Sequence, residues 1–220
     1  MTADGRPVIA LEASTALVSC SIHGEFDVDV STVAAARQVE LFPEIVARAL
    51  DAARITVSQL GMVVVGAGPG SYIGLRSALA FGNALSHAVG CPIAGVSTLD
   101  SIAIDVARDG RLAVVALEAG RDRLNVAAYR SARGAVDRHL EPCLMSHAEL
   151  ERYVAACPEP VDVYRPRVAG APAPTARGHL KLALLRPDWL AVAPPGEAVP
   201  VYSLPAAAEP VRPPSPLPGA

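Results

Sequence analysis

Two heptapeptides, one near the start of the chain and one near its middle, are almost the same. Residues 8–14 read VIALEAS and residues 114–120 read VVALEAG, so each is an apolar strand that ends in a carboxylate and small residues. Two strand-like runs, a helical pattern and a further strand follow each heptapeptide in the same order. Chance similarity of Val- and Ala-rich strands is the alternative, but the shared order favours a duplicated unit. The sequence therefore predicts an α/β fold of two lobes, with duplicated mixed sheets and flanking helices.

The predicted lobes differ in how well their elements are formed. The first lobe, residues 1–108, contains helical patterns from about Val39 to Ala53 and from Ser71 to about Val89. The second lobe, residues 109–204, is reduced, and most prolines of the chain fall in its later part or beyond it. The proline-rich segment 205–220 has almost no apolar bulk and is expected to be a disordered tail.

Composition restricts the classes of function. The chain has 220 residues and a net charge of −3, with no run of lysine and arginine that would attract nucleic acid directly. Any tie to RNA is therefore expected to run through a partner protein. The four cysteines are far apart and form no paired motif, which favours free thiols in a reducing cytoplasm. No apolar run approaches the length of about 18 residues that crosses a membrane, so no membrane contact is expected.

The stretch GAGPGSYIGLR, residues 66–76, joins a strand to a helix through glycines and a proline. It lacks the lysine of a phosphate-binding loop, the spacing of a dinucleotide-binding loop and the glycines of a nucleophile elbow. A serine in it is placed to cap the helix. The sequence predicts a structural turn here, with an anion site at the helix N-terminus as the alternative. Both interpretations involve the same residues: Gly68, Pro69, Gly70, Ser71 and Arg76.

Small residues recur at every fourth position along the helix that follows. They are Gly74, Ala78, Gly82 and Ser86, and they form one helix face without bulk. Each glycine in a helix interior costs about 1 kcal/mol relative to alanine, so two of them indicate close approach of a neighbour. That neighbour is either a helix of another subunit or the sheet of the same lobe, and the pattern alone leaves both open.

Glu12 and Glu118 end the matching strands of the two lobes. Carboxylates at such positions of a two-lobed nucleotide-binding fold can hold a metal ion or activate water. Solvated strand ends are the simpler interpretation, and they are favoured because no dense cluster of histidine or acidic ligands accompanies the two residues. The sequence therefore predicts no metal site.

Several segments of the chain resemble the TsaB family, also called YeaZ. The resemblance rests on VIALEASTALVSCSIHG, on the segment from GAGPGSYIGLR through GCPIAGVSTLDSIA, on VVALEAGRDRLNVAAYR, and on AVPVYSLP near the C-terminus. It covers about residues 7–130 well and is thin from 131 to 197. The glycine-containing segment is specific because it matches over nearly forty positions.

The resemblance implies the two-lobed fold of actin-like ATPases, which is related to ribonuclease H. It implies a non-catalytic scaffold subunit that pairs with a TsaD-type catalytic subunit, while a TsaE-type ATPase also contributes. The complex transfers a threonylcarbamoyl group to the adenosine beside the tRNA anticodon, so tRNA is reached only through the complex. ATP enters through partner subunits, and no cofactor of the chain itself is firmly implied. Members of the family also form homodimers, and a cytoplasmic location is expected.

In both pairings the first-lobe helices build the interface, which favours an intermolecular contact for the small-residue face. The expected contact residues lie on two helices. They are Leu41, Phe42, Ile45, Val46 and Ala49 on the first helix, and Gly74, Ala78, Gly82 and Ser86 on the second. With this placement, Gly82→Leu is expected to weaken the complex and to leave the monomer folded.

The chain departs from the family pattern at several positions. The family usually has Asp where Glu12 and Glu118 stand, and commonly has His at about the position of Arg37. It commonly has Leu-Arg directly after the position of Tyr202, where this chain has Ser-Leu. The longer carboxylates weaken the case for a residual metal or nucleotide role. The alternative function is a small ATPase or kinase of the same fold that acts on a metal-bound nucleotide through the two glutamates. A peptidase is disfavoured, because the sequence supplies neither a metal cluster nor a catalytic triad.

Overall fold

The structure is a computed structural model that describes residue 2 and residues 4–33, 38–166 and 173–201. It divides into two compact units. The first unit comprises Met1–Ser101 together with Ala173–Tyr202, and the second comprises Ile102–Pro172. The expected tail 205–220 and the family-pattern positions Arg37 and Tyr202 lie outside the described residues.

The first unit is built on one mixed sheet. Its strands are β1 Val8–Glu12, β2 Leu17–His23, β3 Val28–Val33, β4 Met62–Gly68, β5 Ile93–Ser97 and β10 Ala191–Ala193. They lie in the order β10-β5-β4-β1-β2-β3. Its helices are α1 Gln38–Ala53, α2 Tyr72–Val89 and α5 Ala176–Leu185, and α3 Thr98–Val106 leads into the second unit. Short 3-10 helices lie at Val57–Gln59 and Pro187–Trp189.

The second unit has a smaller sheet and a helix of its own. Its strands are β6 Leu112–Gly120, β7 Arg123–Ala132, β8 Ala135–Ser146 and β9 Val161–Tyr164, and its helix is α4 His147–Ala155. The strand order is β8-β7-β6-β9. Leu150 and Tyr153 of α4 pack against an apolar cluster that the strands contribute, with Leu124 and Val126 at its centre. This unit therefore has its own core.

The predicted duplication is confirmed by the pairing of the strands. In the first unit β1 pairs antiparallel with β2 and parallel with β4, while β2 pairs antiparallel with β3. In the second unit β6 pairs antiparallel with β7 and parallel with β9, while β7 pairs antiparallel with β8. The same four strands with the same directions, and a helix before the last of them, α1 or α4, are the architecture of actin-like ATPase and ribonuclease-H-like folds.

The sheet of the first unit separates two layers of different character. Successive side chains of a strand point to opposite faces, so Leu11 and Glu12 of β1 belong to different layers. On the side of Leu11, bulky apolar strand residues such as Ile9 and Val63 pack against α1 and α2. On the side of Glu12, α5 lies on small and polar residues, and the backbone N–H of its first residue donates to Ser19 Oγ at 2.9 Å.

Helix α5 is the main difference from the sequence-based division into lobes. That division places residues 109–204 in the second lobe, whereas Ala173–Tyr202 belong to the first unit. There α5 covers β1, β2 and β4, and β10 pairs with β5 at the edge of the sheet. The reason is that α5 reaches its sheet through contacts between residues as far as 167 positions apart, such as that of His179 with Glu12, which no local pattern encodes.

The expectation of free thiols is confirmed. Cys20, Cys91 and Cys143 are buried, and Cys157 is half-buried. Burial raises the pKa of the Cys20 thiol to about 12, so this side chain behaves as a small apolar residue. Within the described residues, no helix combines the length and the apolar character needed to cross a membrane.

Candidate functional site

The carboxyl end of β1 places Glu12 inside the first unit. The side chain is fully buried, and its Oε2 lies 2.5 Å from Nε2 of His179 on α5. Its Oε1 accepts a hydrogen bond from the backbone N–H of Ser14. Both carboxyl oxygens are therefore engaged by the protein itself. For Glu12 the interpretation as a solvated strand end is wrong, because the imidazole that covers it comes from a distant part of the chain.

Gly66, in β4, lies directly beside Glu12 and His179, and its lack of a side chain leaves space for their contact. A Cβ built on Gly66 would overlap Glu12 Oε2 and would lie 2.7 Å from His179 Nε2. Real side chains do not tolerate such contacts, since a shift of tightly packed neighbours would be needed. The first glycine of the GAGPGS stretch is thus explained by the buried pair and not by a phosphate group.

The other two glycines of the turn also face atoms of the chain itself. A Cβ on Gly70 would overlap the side chain of Ser14, and one on Gly68 would overlap the carbonyl oxygen of Val201. Gly68 also has a φ of 114°, in the range that favours glycine. The backbone N–H of Val201 donates to Ala67 at 2.7 Å, which holds this segment against the turn. These contacts do not fit a nucleotide phosphate or its metal ion between Glu12 and the turn.

Ser71 begins α2 as the sequence predicts. Its Oγ accepts from the backbone N–H of Gly74 at 3.4 Å, and its own N–H donates to the carbonyl oxygen of Ser14 at 2.8 Å. The guanidinium of Arg76 lies over the ring of Tyr72, 4.8 Å from its centroid. Both side chains are exposed. The alternative of an anion site at this helix N-terminus stays a prediction.

The residues expected at an interface lie inside the first unit. Phe42, Ile45, Val46 and Ala49 of α1 are buried in the apolar core, and Leu41 packs against it. Gly74, Ala78, Gly82 and Ser86 of α2 are buried as well. The expectation that these side chains meet a partner is therefore corrected: they face their own sheet.

Gly82 shows why the face of α2 that carries small residues lies on the sheet. A Cβ on Gly82 would lie 3.4 Å from Ile93 Cδ1 and 3.6 Å from Leu11 Cδ1, which is ordinary packing distance. One turn later, Ser86 Oγ donates to the carbonyl oxygen of Cys91 at 2.6 Å. Of the two neighbours that the sequence left open, the structure provides the sheet of the same unit.

The opposite face of α2 is exposed and combines small and apolar side chains with Arg76 and His87. Ile73 is 64% exposed and Tyr72 is 56% exposed. Three alanines follow along the same face, Ala80, Ala84 and Ala88, and all are exposed. The outward face of α1 is different, since it carries charged residues such as Glu44 and Arg48, 3.9 Å apart. Two helices therefore lie side by side. The outer face of α1 carries charged residues of both signs, and that of α2 carries a stripe of alanines beside Arg76 and His87.

Glu118, the counterpart of Glu12 in the repeated unit, is exposed near the end of β6. The Nε2 atom of His147 lies 3.9 Å from Glu118 and 3.6 Å from Asp122, distances beyond a hydrogen bond. For Glu118 the interpretation as a solvated strand end agrees with the structure. In the part of the chain that the structure describes, no three histidine, cysteine or acidic side chains gather as metal ligands do.

His179 and Ser14 are the site residues that sequence reasoning missed. Thr175 caps α5 by accepting from the backbone N–H of Gly178 at 3.0 Å, and this capping pattern before an apolar run was a readable signal for the helix. The contact between His179 and Glu12 joins residues 167 positions apart, and no sequence pattern indicates it. Nδ1 of His179 is buried without a hydrogen-bond partner among the described residues, so the bond to Glu12 orients the ring.

Comparisons with known proteins identify the family and the fold of the chain. Residues 29–168, more than half of the chain, match the profile of the family described as TsaD: tRNA N6-adenosine threonylcarbamoyltransferase. An uncharacterized protein of Mycobacterium tuberculosis is 38% identical over 100 residues, which cover 43% of this chain and 47% of the relative. One of Mycobacterium leprae is 36% identical over 129 residues, which cover 56% of this chain and 35% of the relative. The chain thus spans less than half the length of these relatives.

Two solved structures from Pseudomonas aeruginosa share the fold. One is YeaZ, with a TM-score of 0.72, and the other is a protein described as similar to the peptidase YeaZ, with a TM-score of 0.74. Each is 21% identical to this chain, and the alignment covers 90% of this chain and 99% of the other. At this identity the likeness concerns the fold.

Proposed function

Since the chain belongs to the family of TsaD, the tRNA N6-adenosine threonylcarbamoyltransferase, we propose that it is a non-catalytic scaffold subunit in the formation of threonylcarbamoyladenosine on tRNA. In this proposal it pairs with a TsaD-type catalytic subunit, and a TsaE-type ATPase contributes to the same complex. The tRNA is held by the complex as a whole. A homodimer through the same surface is the state of the free subunit.

The observation that carries the non-catalytic role is the state of Glu12. Its two carboxyl oxygens are taken by Ser14 and His179, and the side chain has no solvent access. A carboxylate in this state cannot coordinate a metal-bound nucleotide unless α5 moves away. The same contacts count against the alternative of a small ATPase or kinase that works through Glu12.

The surface proposed for pairing is the outward face of α2. It carries Ile73, Ala80, Ala84 and Ala88 in an exposed stripe, with Arg76 and His87 on the same face. Small side chains let a second helix approach closely, and the exposed Ile73 supplies apolar area at about 25 cal/mol per Å² removed from water. The inward face, which already packs on the sheet, has no part in this contact.

The experiment is light scattering on a sizing column, for the chain alone and mixed with the TsaD-type subunit of the same cell. A one-to-one complex is expected. Ala84→Arg is expected to weaken it at least about tenfold, or about 1.4 kcal/mol, because a charge would be buried in the contact. Ala148→Arg is the matched control: Ala148 is an exposed helix alanine of the second unit, and this variant should bind as the wild type does.

Two results would contradict the proposal in different ways. If the wild-type proteins form no complex, pairing with the catalytic subunit is wrong. If they form one and Ala84→Arg pairs normally, the pairing stands and the placement on α2 is wrong. ATP binding by the chain alone, lost in Glu12→Ala, would instead favour the small ATPase or kinase.

A further inference from the structure

A continuous series of hydrogen bonds leads from α5 to the first turn of α2. His179 Nε2 meets Glu12 Oε2 at 2.5 Å, and Glu12 Oε1 accepts from the N–H of Ser14. The carbonyl oxygen of Ser14 accepts from the N–H of Ser71 at 2.8 Å, and Ser71 Oγ caps α2 through the N–H of Gly74. We call this series the α5–α2 relay. It connects helices that lie on opposite faces of the sheet.

The relay is buried from His179 to Ser14 and half-buried at Ser71, so the bonds of its buried part are costly to lose. Glu12 and His179 are fully buried, and Ser14 is 4% exposed. A buried polar group that loses its partner is left without water to replace it, so the partner and the group tend to move together. Gly66 adds a steric link, since the space where a Cβ would stand is taken by atoms of both Glu12 and His179. A shift of His179 would therefore change the packing of β4 at Gly66 and of the turn that follows it.

Helix α5 buries Leu180 and Leu182 and in addition makes polar contacts with the strands. Its first residue donates to Ser19 in a buried contact, whereas the ion pair of Arg177 Nη1 with Asp29 Oδ2, at 3.2 Å, is exposed and contributes little to holding α5. His179 supplies the third polar contact, to Glu12. Buried polar contacts such as those to Ser19 and Glu12 specify one position of a helix, because each donor needs its acceptor in place.

We propose that the α5–α2 relay makes the seating of α5 and the start of α2 one cooperative element. When α5 leaves its position, Glu12 loses His179, Ser14 loses its fixed place, and the first turn of α2 loses its cap. The coupling is conformational. It links the start of α2 to α5, a helix that follows the second unit in the sequence and belongs to the first. The coupling does not depend on the partner proposed above, and it is tested on the chain alone.

The first test uses the wild-type chain and hydrogen exchange of backbone amides in increasing urea. If the relay couples the helices, the amides of Ser71 and Leu75 open in the same step as that of His179, with the same dependence on urea. A first turn of α2 that opens at urea concentrations where α5 stays closed, or the reverse, overturns the proposal. Because no substitution is involved, this result is obtained even if variants fail to fold.

The second test compares variants on α5. His179→Ala is expected to speed exchange at Ser71 and Leu75 about tenfold or more, the scale of a lost hydrogen bond to a carboxylate. His179→Gln keeps a side-chain N–H for Glu12 and is expected to restore most of the protection. Arg177→Ala is the matched control, since it removes an exposed contact of the same helix without touching the relay.

The pattern across the three variants decides the outcome. Equal exchange at Ser71 and Leu75 in His179→Ala and wild type would show that α5 is seated independently of α2, and the proposal would fail. Equal loss of protection in Arg177→Ala and His179→Ala would also overturn it, because any loosening of α5 would then suffice without the relay.

Discussion

Gly82 belongs to a pattern of small residues that correctly indicates close packing, but the neighbour it packs against is not the one that the family resemblance favours. The recurrence of small residues along α2 indicates close approach, and the structure supplies it through Ile93 and Leu11 of the same unit. A leucine at position 82 would enter this core instead of reaching a partner. Gly82→Leu is therefore expected to destabilise the monomer itself, an effect that the sequence-based prediction did not include.

Gly82→Ala is expected to raise the free energy of unfolding by up to about 1 kcal/mol, because a Cβ fits at 3.4 Å and alanine favours the helix. Gly82→Leu is expected to lower it by about 1–3 kcal/mol through overpacking. Urea denaturation measures both. Ala47→Leu, on the exposed face of α1 in the same unit, is the control and should change stability little. A leucine that is tolerated equally at both positions would contradict the inward orientation of Gly82.

Glu12 marks the limit of what could be predicted at the residue scale. The sequence places this carboxylate correctly at the end of β1, because a strand and its end are local patterns. Its burial depends on His179, and the two residues come together only when α5 folds back over the sheet. Glu118 has the same local sequence and is exposed, so the strand ending itself carries no information about burial.

At the scale of elements, the parallel pair β6–β9 of the second unit is joined by an ion pair at its start. Arg111 donates to Asp162 through Nε at 2.7 Å and through Nη2 at 2.6 Å. These hydrogen bonds hold the pKa of Asp162 below its ordinary value of 3.8. A carboxyl whose pKa is lower in the folded state stabilises the fold when it is ionised in both states.

Asp162→Asn is therefore expected to lower the free energy of unfolding at neutral pH. The difference from wild type should be fully present above about pH 5 and should shrink as the pH falls through about 4 and below, where Asp162 takes up a proton. Urea denaturation at a series of pH values measures it. A difference that stays constant down to low pH would show that the ion pair does not account for the effect.

The regular elements with strong local signals agree with the sequence-based prediction almost residue by residue. α1 spans Gln38–Ala53 and α2 spans Tyr72–Val89, close to the predicted helices. For α5 only the helix itself could be predicted, because its cap and apolar run are local sequence patterns. The sheet on which it packs depends on contacts with Ser19, Asp29 and Glu12, which lie far away in the sequence. Element type is encoded locally, whereas the attachment of an element to a unit is not.

For the whole molecule, the first unit is discontinuous in sequence. Residues 1–108, the first lobe as predicted from the sequence, lack α5 and β10 and leave the polar face of the sheet uncovered. This fragment is expected to show no cooperative unfolding in urea by circular dichroism. Residues 2–101 joined to 173–201 through a flexible Gly-Ser linker are expected to unfold cooperatively. Equal behaviour of the two fragments would contradict the assignment of α5 to the first unit.

The discontinuity also has a consequence during synthesis. Residues 102–172, which include the whole β6–β9 sheet, leave the ribosome before α5 does, so the second unit has its complete sequence while the first still waits for its last helix. At translation rates of about 5–20 residues per second, the uncovered face around Glu12 and Ser19 waits for roughly 5–20 seconds. Around Glu12 and Ser19 that face carries hydroxyl, carboxylate and small side chains, unlike the bulky core under α1 and α2, so we expect it to attract other chains less than that core would during the interval.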